Sequence, residues 1–285
     1  MTNKSSIFSK SYFYVSRSLI WHKNIWKLFS LPLLLFLAIP LLALFLRTSI
    51  YDIFANLNQS QVVQAIGLSI GTSLCTTLLT LIIGTPVAYL LAQRNFRFYR
   101  LVDTLIDLPT VLPPSVAGVA LLMAFGRKGL FGPILSAFDV NIPFTAIAVI
   151  MAQTFIASPL YVKAAAIGFS SIDPELKQAA ALDGANRWLI FRYVVIPLSA
   201  SALLSGSVMT WARALGEFGA TIIFAGNFPG RTQTMPLAIY IGFEIDLNVA
   251  LTMSIILICF SFLTLVIVKG FLHRQLDNYP EGFKY

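Results

Sequence analysis

The sequence predicts an all-α membrane protein with six transmembrane helices and both termini in the cytoplasm. Three observations carry this. Apolar residues make up 57% of the chain and charged residues only 11%, where a soluble domain carries about 25% charged residues. Six runs free of Asp, Glu, Lys and Arg are long enough to span a bilayer, whose core takes about 20 apolar residues. Lys and Arg then fall mostly on one side of the spans these runs define, as positive charge does on the cytoplasmic side.

In order, residues 1–27 carry Lys4, Lys10, Arg17, Lys23 and Lys27 and no acid, interleaved with aromatic residues. They read as a basic cytoplasmic leader, part of it with the make-up of a segment lying on the membrane surface. The apolar run 28–46 reads as the first transmembrane helix. Leader and run are both long for a signal peptide, and no small-x-small cleavage site follows Arg47. The other five spans are expected at 62–93, 108–126, 140–162, 193–212 and 247–268. Two shorter runs cannot span alone. The first, 218–230, extends the fifth span or lines a pore, and the second, 232–243, begins the sixth.

Fourteen of the 20 basic residues are then cytoplasmic and four (Arg47, Arg127, Lys128 and Arg231) lie outside, with Lys163 and Arg213 within or beside spans. The net charge of +8 is therefore a topology signal. Membrane lipid is expected as a partner, and nucleic acid is not. Cys75 and Cys259 lie inside apolar runs and read as small buried hydrophobes. No metal site or cofactor is expected. With no internal repeat or linker, residues 28–285 read as one transmembrane domain.

The stretch 173–198 is the exception to this lipid-compatible pattern. Asp173 is placed to cap a helix that opens at Pro174. Ala179, Ala180 and Ala181 favour helix, Gly184 permits a sharp turn, and an apolar run follows to Pro197. The charge balance places this knob in the cytoplasm.

Three stretches could carry chemistry. Pro109, Pro113 and Pro114 crowd the start of one span. They mark either a hinged, discontinuous helix beside a pathway or a helix that merely starts at Pro114 after a surface loop. Arg213 and Glu217, at i and i+4 with Gly216 and Gly219 beside Glu217, form either part of an anion pathway or gate or a structural ion pair. Residues 227–234 form an outside turn, either a docking surface or an ordinary Pro-Gly turn. Lys163 reads as a side chain snorkelling to the interface. No phosphate-cradling GxxxxGK[ST] occurs, so ATP hydrolysis is expected on a separate subunit, and no catalytic constellation is present.

Gln178-Ala179-Ala180, then Gly184, then Val194-x-Ile196-Pro197 resemble the E-A-A-x-x-x-G…I-x-L-P loop of ABC importer permeases. Gln178 departs from the family's Glu, and Val194 and Ile196 from its Ile and Leu. LPTVLPPSVAGVALLMAFGRKGLFG (108–132), ARALGEFGATIIFAGN (212–227) and PGRTQTMPLAIY (229–240) are similar to the molybdate/tungstate permeases, and sulfate permeases share ARALGEFGA. The resemblance covers roughly residues 60–270. It implies a type I ABC importer permease fold in the inner membrane of a prokaryote and a tetrahedral oxyanion substrate, molybdate or tungstate. It also implies a pathway between two copies of the chain. Two ABC ATPase subunits would dock on residues 173–197 (Gln178, Ala179, Ala180, Asp183, Gly184, Ile196, Pro197), and an extracytoplasmic binding protein would deliver the anion. A sulfate/thiosulfate permease is the alternative within the family. An ion-coupled secondary transporter is the alternative outside it, and would be expected to carry more intramembrane carboxylates than Glu217.

Overall fold

The computed structural model describes residues 28–94 and 96–277, which are helical with no strand among them. The leader 1–27, and any surface segment within it, lies outside the described residues. The chain divides into two compact units, residues to Tyr51 and residues from Asp52.

The first unit holds α1 (Leu28–Arg47), a helix of 20 residues with no buried face of its own. From Ile50 the chain runs through α2 (Ile50–Leu57), α3 (Ser60–Gln93), α4 (Tyr99–Val111), α5 (Pro114–Phe125), α6 (Gly132–Ala137) and α7 (Ala146–Ser170). Then come α8 (Pro174–Leu182), α9 (Arg187–Ile190), a widened π turn at Phe191–Val195 and α10 (Ile196–Leu198). The chain continues through α11 (Ala200–Leu215), α12 (Gly219–Phe224), α13 (Met235–Ile245) and α14 (Leu247–Asp277).

Among the described residues, four helices are long and apolar enough to cross a membrane (α1, α3, α7 and α14), and six spans result if each of two bent pairs counts as one. The bent pairs are α4 with α5, at 117°, and the helix Arg187–Leu198 with α11, at 71°.

The core is built on α3, α7 and α11. One face of α3 is a ladder of small and polar side chains, Ala65, Ser69, Thr72, Thr76, Thr80, Gly84 and Ala88, at helical spacing and all buried. Small residues let helices approach closely where lipid supplies no hydrophobic drive between them. Thr76 Oγ1 donates to the Ile150 carbonyl, 3.3 Å, and to Gln153 Oε1, 3.1 Å. Thr85 Oγ1 lies 2.6 Å from the Tyr161 hydroxyl. These pairs set α3 and α7 parallel. Against α7, α11 runs antiparallel and tight: a Cβ at Gly168 would lie 2.5 Å from Ala202 Cβ, and one at Gly206 2.9 Å from Ala164 Cβ.

Several sequence expectations need correction. The span expected at 140–162 starts at Ala146, capped by Thr145, whose hydroxyl accepts from the Ala148 N–H at 3.3 Å. It continues to Ser170, because the charge of Lys163 is paired and does not end it. The run 232–243 does not begin the last span. It forms the separate helix α13, broken from α14 at Asp246, whose φ of −148° and ψ of 101° are extended. Asp246 then caps α14, accepting from the Asn248 N–H at 2.9 Å. The run 218–230 does not extend the fifth span but folds as α12 after a break at Gly216. The fifth span expected at 193–212 lies inside the second bent pair, with residues 193–198 before the 71° bend and α11 after it. Cys75 and Cys259 are free, and both are exposed on the outward faces of α3 and α14 rather than buried.

Candidate functional site

The first part of the site is the loop between α7 and α11. Asp173 accepts from the Glu175 N–H at 2.9 Å and opens α8 with Pro174 in its first turn. The helix closes by two nested bonds, Gly184 N–H to the Ala181 carbonyl at 3.1 Å and Ala185 N–H to the Ala180 carbonyl at 3.0 Å. This closure needs a left-handed residue after the cap, and Gly184 supplies it at φ +88°. Asp183 is the C-cap, and Asn186 caps the next helix by accepting from the Leu189 N–H at 2.9 Å. The π turn follows, with Ile196 N–H reaching the Phe191 carbonyl five residues back. It comes just before Pro197, whose ring would crowd an ordinary α turn.

No residue of α8 or α9 is buried. Gln178 and Ala179 are exposed, and Ala180 is half-buried. Leu182 is 88% exposed and Trp188 63%, apolar surface that the chain leaves uncovered. The knob is nonetheless anchored. Phe191 packs edge-on or tilted against Tyr89, Phe169 and Trp188 with centroids 4.9, 6.1 and 5.9 Å away, and Val195 is fully buried.

The second part is the broken backbone. Leu112 and Pro113 are extended (ψ 136° and 132°), because each precedes a proline and is pushed out of the α region. The chain before the break is the helix α4 rather than a surface loop, and α5 starts at Pro114, at 117° to it. Pro109 lies inside α4, buried, without ending it. It faces a largely apolar cavity of about 510 Å³ between α3, α4, α5 and α7. Pro113 and Pro114 sit at the bend itself.

Opposite the bend lies the second break, between α11 and α12. Gly216 is the exposed C-cap of α11. Arg213 Nη1 and Glu217 Oε2 form an ion pair at 2.6 Å. Glu217 Oε1 accepts from the Ala220 N–H at 2.9 Å, so the carboxylate also caps α12. Glu217 is buried while the Arg213 side chain is 35% exposed. The two breaks touch. A Cβ at Gly219 would lie 2.7 Å from Pro114 Cβ, and one at Gly118 2.8 Å from the Ala220 carbonyl oxygen. Pro113, Pro114, Arg213, Gly216, Glu217 and Gly219 are thus one neighbourhood, and Pro109 is set apart on the cavity.

Several polar groups on and after α11 are buried without partners. Of seven buried unpartnered side-chain atoms among the described residues, four belong to Trp211, Thr221, Asn227 and Thr234. The turn at 227–234 is a Pro-Gly turn with Gly230 at φ +72°. Its second half is not an outside surface, since Thr232, Gln233 and Thr234 are buried.

Sequence reasoning missed one cluster. Lys163 Nζ donates to Asp103 Oδ1 at 2.6 Å and to Asp107 Oδ2 at 2.8 Å, tying α7 to α4. The side chain does not snorkel, because two carboxylates on the neighbouring helix satisfy it where it stands. The i, i+4 spacing of the aspartates was the available signal.

Residues 84–277 match the model of the family described as binding-protein-dependent transport system inner membrane component. The chain belongs to this family. It is 37% identical to a probable transport system permease protein (NifC) of Clostridium pasteurianum, over 82% of each chain. To a molybdenum transport system permease protein (ModB) of Mycobacterium tuberculosis it is 38% identical, over 79% of this chain and 85% of that one. To a molybdate/tungstate transport system permease protein (WtpB) of Thermococcus kodakarensis it is 29% identical, over 85% and 93%. Among solved structures, a bacterial ABC transporter that imports the acidic polysaccharide alginate matches 93% of this permease and 99% of its own chain, with TM-score 0.71 and 16% identity. The methionine ABC transporter MetNI in an inward-facing conformation matches 75% and 95%, with TM-score 0.58 and 18% identity. The fold is therefore that of an ABC importer transmembrane subunit, multi-pass in the inner membrane. In this family ATP hydrolysis is carried by a separate subunit, and the family's description ties its members to a binding protein.

Proposed function

We propose that this permease imports a tetrahedral oxyanion, molybdate or tungstate. Two copies would form the pathway between them, and the chain would sit with both termini in the cytoplasm. The observation that carries the substrate is the identity of 38% over most of the chain to a molybdenum transport permease. The site's chemistry agrees with it. A guanidinium reaches the surface at the end of a membrane-spanning helix, and Arg is suited to binding oxyanions through paired N–H donors. In this reading two ABC ATPase subunits grip residues 173–197, where Gln178, Ala179, Ala180, Asp183 and Gly184 form a compact helix and turn, and Ile196 and Pro197 close the loop. The uncovered Leu182 and Trp188 support a protein partner there. A binding protein presents the anion on the opposite side.

The test is reconstitution of the permease with its ATPase and binding protein in liposomes. ATP-dependent uptake of molybdate, displaced by tungstate and weakly by sulfate, is expected. Uptake that sulfate displaces as well as molybdate would move the assignment to the sulfate branch. Gly184→Trp should abolish co-purification with the ATPase or its coupling while leaving membrane insertion intact. That site has φ +88°, strained for any side chain. Undiminished ATP-coupled uptake in Gly184→Trp would sink the docking assignment.

A further inference from the structure

We propose that Glu217 sets how weakly the pathway holds its anion, by masking part of the charge of Arg213. The proposal rests on the oxyanion-import reading above and adds a specificity-setting role for the carboxylate. Arg213 is the surface member of the pair, 35% exposed, and Glu217 the buried one, 1% exposed. Both carboxylate oxygens are engaged, one by Arg213 at 2.6 Å and the other by the Ala220 N–H at 2.9 Å. A buried carboxylate stripped of its partner is strongly unfavourable, so Glu217 cannot leave when an anion arrives.

The guanidinium, in contrast, has donors to spare. It carries five N–H groups, and among the described residues its ion-pair partner is Glu217 alone. Gly216, exposed between the two residues, leaves the turn beside them without a side chain. An anion can therefore dock on the outer edge of Arg213 while Glu217 holds the inner edge. The carboxylate then repels the arriving oxyanion at close range.

A transit site must attract its ion enough to admit it and hold it weakly enough to let it go. An unmasked arginine in a low-dielectric wall would fail the second condition for a doubly charged anion. Glu217 thus acts through Arg213 as a positioning residue, turning a binding site into a passing one. A merely structural pair would predict instability without any change in anion retention.

Glu217→Gln separates these readings, because its amide oxygen still accepts from the Ala220 N–H while the charge is gone. Two quantities are measured on the full permease–ATPase complex: radiolabelled molybdate retained in the absence of binding protein, and maximal molybdate uptake in liposomes with it. Glu217→Gln is expected to retain molybdate at least about tenfold more tightly and to lose a comparable factor in maximal uptake. Arg213→Gln with Glu217→Gln should abolish the retention. Unchanged retention in Glu217→Gln, or wild-type maximal uptake, overturns the proposal. Should Glu217→Gln fail to assemble, Glu217→Asp, with its carboxylate drawn back by one methylene, must show a smaller gain of the same sign, and no gain there overturns it equally. Failure of the import reading looks different: wild-type liposomes then accumulate none of molybdate, tungstate or sulfate, and both proposals fall.

Discussion

Replacing Lys163 by Met should loosen α4 from α7 by an amount the geometry bounds. The ammonium lies 2.6 and 2.8 Å from two carboxylates. A buried pair broken on one side costs about 3–5 kcal/mol, and a fully exposed pair about 0.2–1 kcal/mol. The three side chains here are one-third to one-half exposed, so each bond is discounted to about 1 kcal/mol. Removing the charge also leaves Asp103 and Asp107 facing each other at i, i+4, which adds about 0.2–0.5 kcal/mol of repulsion. The sum is about 2 kcal/mol, or roughly 4–8 °C in the unfolding midpoint of a domain this size. Thermal unfolding in lipid nanodiscs measures it. The triple variant Lys163→Met, Asp103→Asn, Asp107→Asn should recover most of the loss, because no unpaired charge remains. A Lys163→Met midpoint within 1 °C of wild type, or a triple variant no better than the single, refutes the reasoning.

Gly118→Leu should cost about 1–3 kcal/mol and depress uptake more than insertion, because its Cβ would stand 2.8 Å from Ile223 Cβ as well as from the Ala220 carbonyl. Uptake at the wild-type rate would argue against any role for this contact. Thr80→Val should raise stability by up to about 1 kcal/mol, since Thr80 Oγ1 is buried without a partner and a methyl group fits the same space. A clear loss of stability would mean that the hydroxyl has a partner in the membrane.

Much of the fold was legible because lipid imposes a simple rule: spans must be apolar and loops may be charged. The runs at 62–93 and 247–268 fall within α3 and α14. The helix caps at Asp173 and the turn at Gly184 were equally readable, since capping is local chemistry. Where the rule failed, the cause was pairing across distance. Lys163 was read as ending a span because, although Asp103 and Asp107 share a helix face, nothing local ties them to a lysine about 60 residues away. The ladder on α3 passed as an ordinary apolar run, because Ser and Thr carry no charge to mark them. The break at Asp246 was missed because the apolar residues on either side suggested one continuous element. Of the site, the pair Arg213–Glu217 was visible in its spacing. Its contact with the proline bend was not, since Gly219 meets Pro114 only after folding.

The distribution of tight packing and broken backbone limits where this subunit can change shape. The knob at 173–198 is fixed to the ends of α3 and α7 by the rings of Tyr89, Phe169 and Phe191. From there α7 and α11 are locked side by side at Gly168 and Gly206, where no Cβ would fit without displacement. Packed cores of this kind resist continuous deformation. Apart from the break at Asp246, the backbone is interrupted at Leu112–Pro113, at Ser199 and at Gly216–Phe218, and hinge motions draw on a few residues at the ends of elements. Two of these three interruptions meet at Pro114 and Gly219, one residue beyond Phe218 and two from Glu217. A displacement of the knob carried along the α7–α11 pair would therefore be taken up where Arg213 reaches the surface. In the proposed importer that would put the joint of the motion beside the charged pair, and Gly118→Leu, which wedges α5 from α12 there, tests the arrangement from the side opposite the charge.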